Sequence, residues 1–187
     1  MTVVLDGAHN ENSLERLFAE LQRRFRAGGT NEAARRVVCI FGANRNKSLV
    51  AMVRIVCRHC VPHSVDGAMG SLPALLLVKS DHPSAAPAED LEALAYDDLG
   101  GMEQMSTESS ASIIRATKGP RSVEEALRGA IALAADVGRR NEHGGEPIVV
   151  VCGSLYVVST ARALLVRNNP SCFPLNDPAK VAFELRN

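Results

Sequence analysis

Short apolar runs, each about as long as a β-strand, alternate with helix-forming segments along the 187-residue chain. The runs VVCIF at residues 37–41 and IVVVC at residues 148–152 contain no charged or strongly polar side chain. A strand that is apolar at every position must be covered on both faces, which is typical of the middle of a parallel sheet. The alternation therefore predicts a parallel sheet with helices packed on both of its faces.

Apolar periodicity locates the individual elements along the chain. Strands are predicted at residues 2–5, 37–41, 75–78, 148–152 and 181–185, and helices at residues 13–26, 48–57, 88–96, 122–137 and 155–167. The polar segment at residues 100–112 is interpreted as an insertion to which no role is assigned. A chain of this length can bury one sizeable core. We therefore predict a Rossmann-like three-layer α/β domain, with a mainly parallel sheet flanked by helices, over residues 1–187.

Composition argues against two classes of partner. Lys plus Arg equals Asp plus Glu at 21 each, and aromatic residues make up only 4% with no Trp. A balanced charge gives no field that would hold the chain on a polyanion, and few aromatic rings are available to stack on bases. The sequence has no run of 18 apolar residues and no signal peptide. We therefore expect no nucleic acid and no membrane as partner, and a cytoplasmic location, with the mitochondrion as the alternative.

Polar residues follow three of the predicted strands at the point where each strand ends. Asp6 and His9 follow the first strand, residues 44–47 follow the second, and Gly153 with Ser154 follows the fourth. In open parallel sheets, ligands bind outside the carboxyl ends of the strands. We therefore expect these three clusters to converge at one edge of the sheet.

The DGAHN stretch at residues 6–10 allows two interpretations. Asp6 and Gly7 suit a tight turn, and Asn10 or Ser13 could cap the helix that follows. A cap does not require His9, and an imidazole beside helix N-terminal amides suits a carboxylate or a phosphate. Both interpretations stay open from the spacing alone.

The segment FGANRNKS at residues 41–48 imitates a phosphate-binding P-loop without fulfilling its pattern. That pattern needs a second glycine directly before the lysine, and Asn46 stands there instead. We therefore reject a P-loop, and no G-x-G-x-x-G fingerprint occurs elsewhere in the chain. Arg45 and Lys47 remain as two cations that could either bind an anionic ligand or be simply solvated.

Two further motifs contain residues that could bind a metal ion or act as a nucleophile. The five cysteines include Cys57 and Cys60 in CRHCVPH, but no second C-x-x-C pair exists to complete a zinc site, so we expect reduced thiols and no metal bound by this chain. The segment CGSLYVVSTAR at residues 152–162 lacks the G-x-S-x-G pattern of a nucleophilic serine. Ser154 is therefore interpreted as a helix cap or a ligand donor.

Four motifs together resemble the folylpolyglutamate synthase and dihydrofolate synthase family of the Mur ligase superfamily. They are LDGAHN at residues 5–10, FGANRNKS at 41–48, SAAPAEDLEALA at 84–95 and GSLYVVSTAR at 153–162. Their order and spacing resemble the carboxy-terminal domain of that family over nearly the whole chain. The resemblance implies that residues 1–187 form this single glutamate-binding domain and that the amino-terminal ATPase domain of the ligase is absent.

The resemblance also implies an activity and its partners. Family members are ATP-dependent amide-bond ligases that add L-glutamate to folates through an acyl phosphate, with ATP and Mg²⁺ bound mostly by the amino-terminal domain. The implied partners are that ATPase domain, folate, L-glutamate and ATP, in a monomeric enzyme. This chain is expected to be inactive alone. The alternatives are a dihydrofolate synthase or bifunctional enzyme of the same family, and a stand-alone Rossmann-like binding module.

Site residues are implied by the same motifs. By resemblance, His9 is expected to be catalytic and to contact glutamate or the acyl phosphate, Lys47 and Ser154 to bind glutamate, and Asp6 to meet the nucleotide. The chain departs from the family pattern at three positions, with Glu11 in place of proline, Ser48 in place of aspartate and Ser159 in place of glycine. Ser48 matters most, because an aspartate there would orient Lys47.

Overall fold

The computed structural model describes residues 1–25, 37–60, 74–100, 122–140 and 147–169. The strand predicted at residues 181–185 and nearly all of the polar segment at 100–112 lie outside the described residues.

Four strands and five helices make up the described part of the chain. The strands are β1 (Thr2–Leu5), β2 (Val37–Phe41), β3 (Ala74–Leu77) and β4 (Ile148–Cys152). The helices are α1 (Glu11–Phe25), α2 (Leu49–Cys60), α3 (Ala88–Gly100), α4 (Val123–Arg140) and α5 (Leu155–Asn168).

The four strands form one parallel sheet in the order β1-β4-β2-β3. Leu5 pairs with Val151, and Phe41 pairs with both Cys152 and Leu77, so the strands end level with one another. We call this side of the sheet the carboxyl edge, defined by residues 6–10, 42–48, 78–87 and 153–154. The predicted α/β class and parallel sheet are confirmed.

Each face of the sheet carries its own apolar core. Alternate residues of the central strands point to opposite faces, as the pleat requires. Cys39 and Phe41 pack with α1, α2 and α3, whereas Val38 and Ile40 pack with α4 and α5. Every residue of β2 and β4 is buried, which explains why both strands are apolar throughout.

Three helices extend at least three residues past the ends that the apolar periodicity predicts. Helix α2 continues past residue 57 to Cys60, α3 continues past residue 96 to Gly100, and α4 continues past residue 137 to Arg140. In the last turn of α3, Asp98 accepts a hydrogen bond from Arg54 of α2 at 2.8 Å. This contact between helices stabilises a turn that has no apolar repeat of its own.

No helix in the described ranges is long and apolar enough to cross a membrane.

Four of the cysteines are buried in the core on the α1, α2 and α3 face. Cys39 and Cys152 lie on adjacent strands with their sulfur atoms 4.0 Å apart, and Cys57 and Cys60 lie on α2. The contact with Cys39, together with burial, raises the pKa of the Cys152 thiol well above its usual value. Burial, and to a smaller degree the nearby Asp98 carboxylate, raises the pKa of Cys57 to about 12. These thiols behave as small apolar side chains.

The raised pKa of Cys57 predicts a loss of stability at alkaline pH. The unfolded thiol releases its proton near pH 9, whereas the folded thiol keeps it up to about pH 12. Between these values, deprotonation favours the unfolded chain by about 1.4 kcal/mol per pH unit. The free energy of unfolding of the wild type should therefore fall more steeply with pH than that of Cys57→Ala, measured by urea denaturation. An equal dependence of the free energy of unfolding on pH in the two proteins would contradict the raised pKa of Cys57.

Candidate functional site

The loop after β1 is held against β4 by its backbone. The Asp6 amide donates to the Val151 carbonyl at 3.0 Å, and the Asp6 carboxylate accepts from the Ala8 amide at 2.8 Å. The aspartate therefore closes the tight turn that the sequence predicts. This turn places His9 just outside the end of the strand.

Helix α1 starts with a reciprocal cap. The Asn10 side chain accepts from the Ser13 amide at 2.9 Å, and the Ser13 hydroxyl accepts from the Asn10 amide at 3.1 Å. This is the geometry of a capping box, with Asn10 as the N-cap. The helix begins at Glu11, two residues before the predicted start, because Ser13 occupies the third helical position rather than the cap.

The imidazole of His9 takes no part in this cap. Its backbone amide donates to the Ser13 hydroxyl at 3.0 Å, and its ring atom Nδ1 donates to the Gly7 carbonyl at 2.8 Å. In the neutral ring this bond places the proton on Nδ1 and a lone pair on Nε2. The side chain is partly exposed, so His9 presents a hydrogen-bond acceptor at the carboxyl edge.

Gly153 contacts both the loop after β1 and the loop after β2. Its amide donates to the Ala8 carbonyl at 2.7 Å, and its φ is +96°. A Cβ at this position would lie 2.5 Å from the Gly42 carbonyl oxygen and 2.6 Å from the ring of Phe41. Only glycine permits this close approach together with this backbone conformation.

Ser154 is the N-cap of α5. Its hydroxyl oxygen accepts from the Tyr156 amide at 3.3 Å, and the side chain is only 3% exposed. The interpretation as a cap is confirmed by this contact. The hydroxyl hydrogen can still donate to a ligand, so the cap does not remove Ser154 from the candidate site.

The loop after β2 carries the two predicted cations. A Cβ on Gly42 would lie 2.6 Å from the Val78 carbonyl oxygen, so close packing against the chain after β3 explains this glycine. Arg45 and Lys47 are exposed, and within the described residues neither side chain makes an ion pair. Ser48 directly precedes α2, and its carbonyl accepts the first helical bond from Met52 at 3.0 Å.

A fourth loop, residues 78–87 after β3, joins the edge and was missed by the predictions from sequence. Its Ser84 carbonyl accepts from the Arg45 amide at 2.8 Å, and its Ala86 amide donates to the Ala43 carbonyl at 2.8 Å. Its His82 ring stacks on Tyr156 with ring centroids 4.1 Å apart. The carboxyl-end rule itself could have found this loop, since it follows a predicted strand as the other three do.

The structure thus brings all three predicted clusters to the carboxyl edge. Asp6, His9, Lys47 and Ser154 all lie there, in loops joined by backbone hydrogen bonds. Across the described ranges, no group of three His, Cys, Asp or Glu side chains is arranged to hold a metal ion. Cys57 and Cys60 of the CRHCVPH motif are buried in the core, and His63 lies outside the described residues. The arrangement suits an anionic organic ligand.

Solved structures with the same fold include ligases. The chain matches folylpolyglutamate synthase of Mycobacterium tuberculosis complexed with ADP, with a TM-score of 0.62 and 17% identity over 87% of this chain and 29% of that one. The chain has the fold of part of a folylpolyglutamate synthase. It also matches E. coli FolC in complex with DHPP and ADP, with a TM-score of 0.53 and 20% identity over 90% of this chain and 29% of that one.

A bifunctional enzyme shares this fold. The ligand-free folylpolyglutamate synthase/dihydrofolate synthase of Yersinia pestis matches with a TM-score of 0.52 and 18% identity over 87% of this chain and 28% of that one. This chain therefore spans less than a third of the length of the solved structures it matches. No protein-family model and no curated protein matches the sequence. The resemblance drawn from the four motifs is confirmed at the level of fold.

Proposed function

We propose that this chain is the glutamate-binding, carboxy-terminal domain of a folylpolyglutamate synthase and acts together with an amino-terminal ATPase domain. The observation that carries the proposal is the junction at Gly153, which links the DGAHN loop to the loop after β2. The sequence motifs that resemble the family are therefore adjacent in space, as one binding site requires.

His9 has the chemistry to receive an amine. In the proposed reaction, the amine of L-glutamate attacks a folate carboxylate that ATP has activated as an acyl phosphate. An ammonium group must lose a proton before it can attack, and the Nε2 lone pair of His9 can accept a hydrogen bond or a proton from it. The bond from Nδ1 to Gly7 holds the ring in the orientation that presents Nε2. The reaction needs positioned groups more than a protein nucleophile.

The other candidate residues serve binding. Lys47 is exposed at the edge and can pair with a glutamate carboxylate, and the Ser154 hydroxyl can donate to one. Asp6 closes the turn that carries His9 by accepting a hydrogen bond at Oδ1. Its other carboxylate oxygen, Oδ2, is the atom that would make the proposed contact with the nucleotide. As the resemblance to the family implies, we assign Mg²⁺, which would neutralise charge on the phosphates, to the ATPase domain.

Exposed apolar side chains support a partner surface at the same edge. Val50 is 56% exposed, Leu155 is 61% exposed and Tyr156 is 47% exposed. All three lie in the first turn of a helix that begins at the carboxyl edge. Large apolar side chains grouped at a polar site are typical of surfaces that another body covers. The proposed ATPase domain would cover this edge and exclude water from the reaction.

A dihydrofolate synthase, or a bifunctional enzyme, is the second candidate function. It is favoured by the likeness in fold to the bifunctional enzyme of Yersinia pestis. Both activities would use this domain to bind glutamate. The choice between their pterin substrates would be made largely in the amino-terminal domain.

The purified 187-residue chain should fold without hydrolysing ATP. We expect a cooperative unfolding transition, together with release of inorganic phosphate no faster than in a buffer control containing ATP, Mg²⁺ and tetrahydrofolate. The reason is that most of the groups assigned to nucleotide binding, and the groups assigned to metal binding, belong to the other domain. Folate-dependent phosphate release by the pure chain would contradict the proposal that the amino-terminal domain is required for ATP hydrolysis.

A further inference from the structure

A second histidine at the carboxyl edge has its proton fixed by the backbone. The Ser84 amide donates to Nδ1 of His82 at 3.2 Å. A backbone N–H group only donates, so Nδ1 accepts and the proton of the ring lies on Nε2. Within the described residues, Nε2 of His82 makes no hydrogen bond.

The two histidines therefore present opposite chemistry at one edge. His9 donates from Nδ1 to a carbonyl and offers a lone pair at Nε2, whereas His82 accepts at Nδ1 and offers a hydrogen at Nε2. An amino acid carries both an ammonium group and carboxylates. An acceptor suits the first group and a donor suits the second.

The ring of His82 is held in place by α5. It stacks on Tyr156 with ring centroids 4.1 Å apart and an angle of 24° between the planes. The preceding residue, Leu155, packs on Gly7, where an added Cβ would lie 2.7 Å from the leucine Cδ2 atom. The first turn of α5 thus contacts both the loop of His82 and the loop that carries His9.

Unmet hydrogen-bonding capacity lies in the same pair of loops as this ring. The Ser80 hydroxyl belongs to a side chain that is only 4% exposed, and the Asn44 side-chain oxygen is also buried, yet neither has a partner. Ser80 precedes His82 by two residues, and Asn44 pairs with Ala85 of the same loop. Buried polar atoms almost always have a partner, so two orphaned atoms in one loop pair indicate a site that a polar ligand or water completes.

Cationic and anionic side chains both surround this loop. Lys79 is exposed on it, and Arg45 and Lys47 are exposed on the neighbouring loop. Asp81 is exposed on the same loop, and Glu89 and Asp90 follow in the first turn of α3. Because these charges balance, the preference for an anionic group comes from the Nε2–H donor of His82 and not from an excess of positive charge.

We propose that His82, stacked on Tyr156, is a further binding residue of this edge, where its Nε2–H donates a hydrogen bond to a carboxylate of the incoming amino acid. This inference rests on the proposed function, since the ligand it names is L-glutamate. It adds His82, which precedes the SAAPAEDLEALA motif in the loop after β3, to the site residues that the resemblance implies.

The experiment uses the 187-residue chain labelled with ¹⁵N at histidine. Long-range ¹H–¹⁵N spectra of the imidazole rings report which nitrogen carries the proton, and titration with L-glutamate reports binding. We expect His82 to carry its proton on Nε2 and its resonances to shift on addition of glutamate. His82→Phe keeps a ring to stack on Tyr156 but removes the donor, and it should weaken glutamate binding by about tenfold or more. His82→Gln places an amide N–H near the position of Nε2 and should stay within about threefold of the wild type.

Each contrary outcome has a separate meaning. Wild-type affinity for glutamate in His82→Phe, or a proton on Nδ1 of His82, would overturn the role of His82 and leave the proposed function in place. A parallel titration with inorganic phosphate tests the other anion, and a loss confined to phosphate would also overturn the carboxylate assignment. Absence of glutamate binding by the folded wild-type chain would overturn the proposed function together with this inference.

Discussion

Replacing Gly153 with alanine should destabilise the protein by about 3 kcal/mol or more. A non-glycine residue at a φ of +96° is strained by about 1–3 kcal/mol. The added Cβ would also lie 2.5 Å from the Gly42 carbonyl oxygen, and such overpacking costs about 1–3 kcal/mol more. Relief of the overlap would pull apart the loops that carry His9 and Lys47, so ligand binding should be lost with stability.

Gly129 provides the matched control for this change. It lies inside helix α4, and an added Cβ there would meet nothing within 4 Å. Gly129→Ala should therefore stabilise the protein by about 0.5–1 kcal/mol, because alanine is the better helix former. Urea denaturation measures both variants. Equal stability of Gly153→Ala and the wild type would show that the junction is not constrained as described.

Loss of the His9 imidazole should damage the use of glutamate much more than the use of ATP. In the complete ligase that we propose, His9→Ala would remove a hydrogen bond to a charged group, which is worth about 1.5–3 kcal/mol. We expect kcat/KM for glutamate to fall by roughly 10- to 100-fold, mainly through KM, while KM for ATP changes little. Steady-state kinetics with each substrate varied in turn would show the split.

His9→Asn separates the binding role from the structural role. The asparagine amide can reproduce the donation from Nδ1 to the Gly7 carbonyl, but it has no atom in the place of Nε2. If Nε2 meets the substrate, His9→Asn should be impaired about as much as His9→Ala. Wild-type kinetics in His9→Asn would mean that His9 only supports the turn, as the plain capping interpretation of DGAHN holds.

The sheet could be predicted because each buried strand shows its burial in its own short stretch of sequence. The segments at 37–41 and 148–152 are apolar at every position, since both faces of β2 and β4 are covered by helices. The convergence of Asp6, His9 and Ser154 followed from one further rule, that parallel strands end at the same edge. Neither prediction needed knowledge of a contact between distant residues.

The parts that could not be predicted depend on distant contacts. The last turn of α3 is supported by Arg54 on α2, 44 residues before its partner Asp98. The place of residues 78–87 at the edge follows from the carboxyl-end rule, but the pairing of Asn44 with Ala85 and the stacking of His82 on Tyr156 join residues far apart in the sequence. Periodicity and motif spacing contain no information on such pairs.

The most direct test of the central claim is incorporation of labelled L-glutamate into tetrahydrofolate by the complete product of the natural gene, with ATP and Mg²⁺. The account predicts incorporation that depends on ATP and falls sharply in His9→Ala. Dihydropteroate in place of tetrahydrofolate tests the second candidate activity in the same assay. Failure to incorporate glutamate into either acceptor would contradict the ligase assignment and leave only a binding module with this fold.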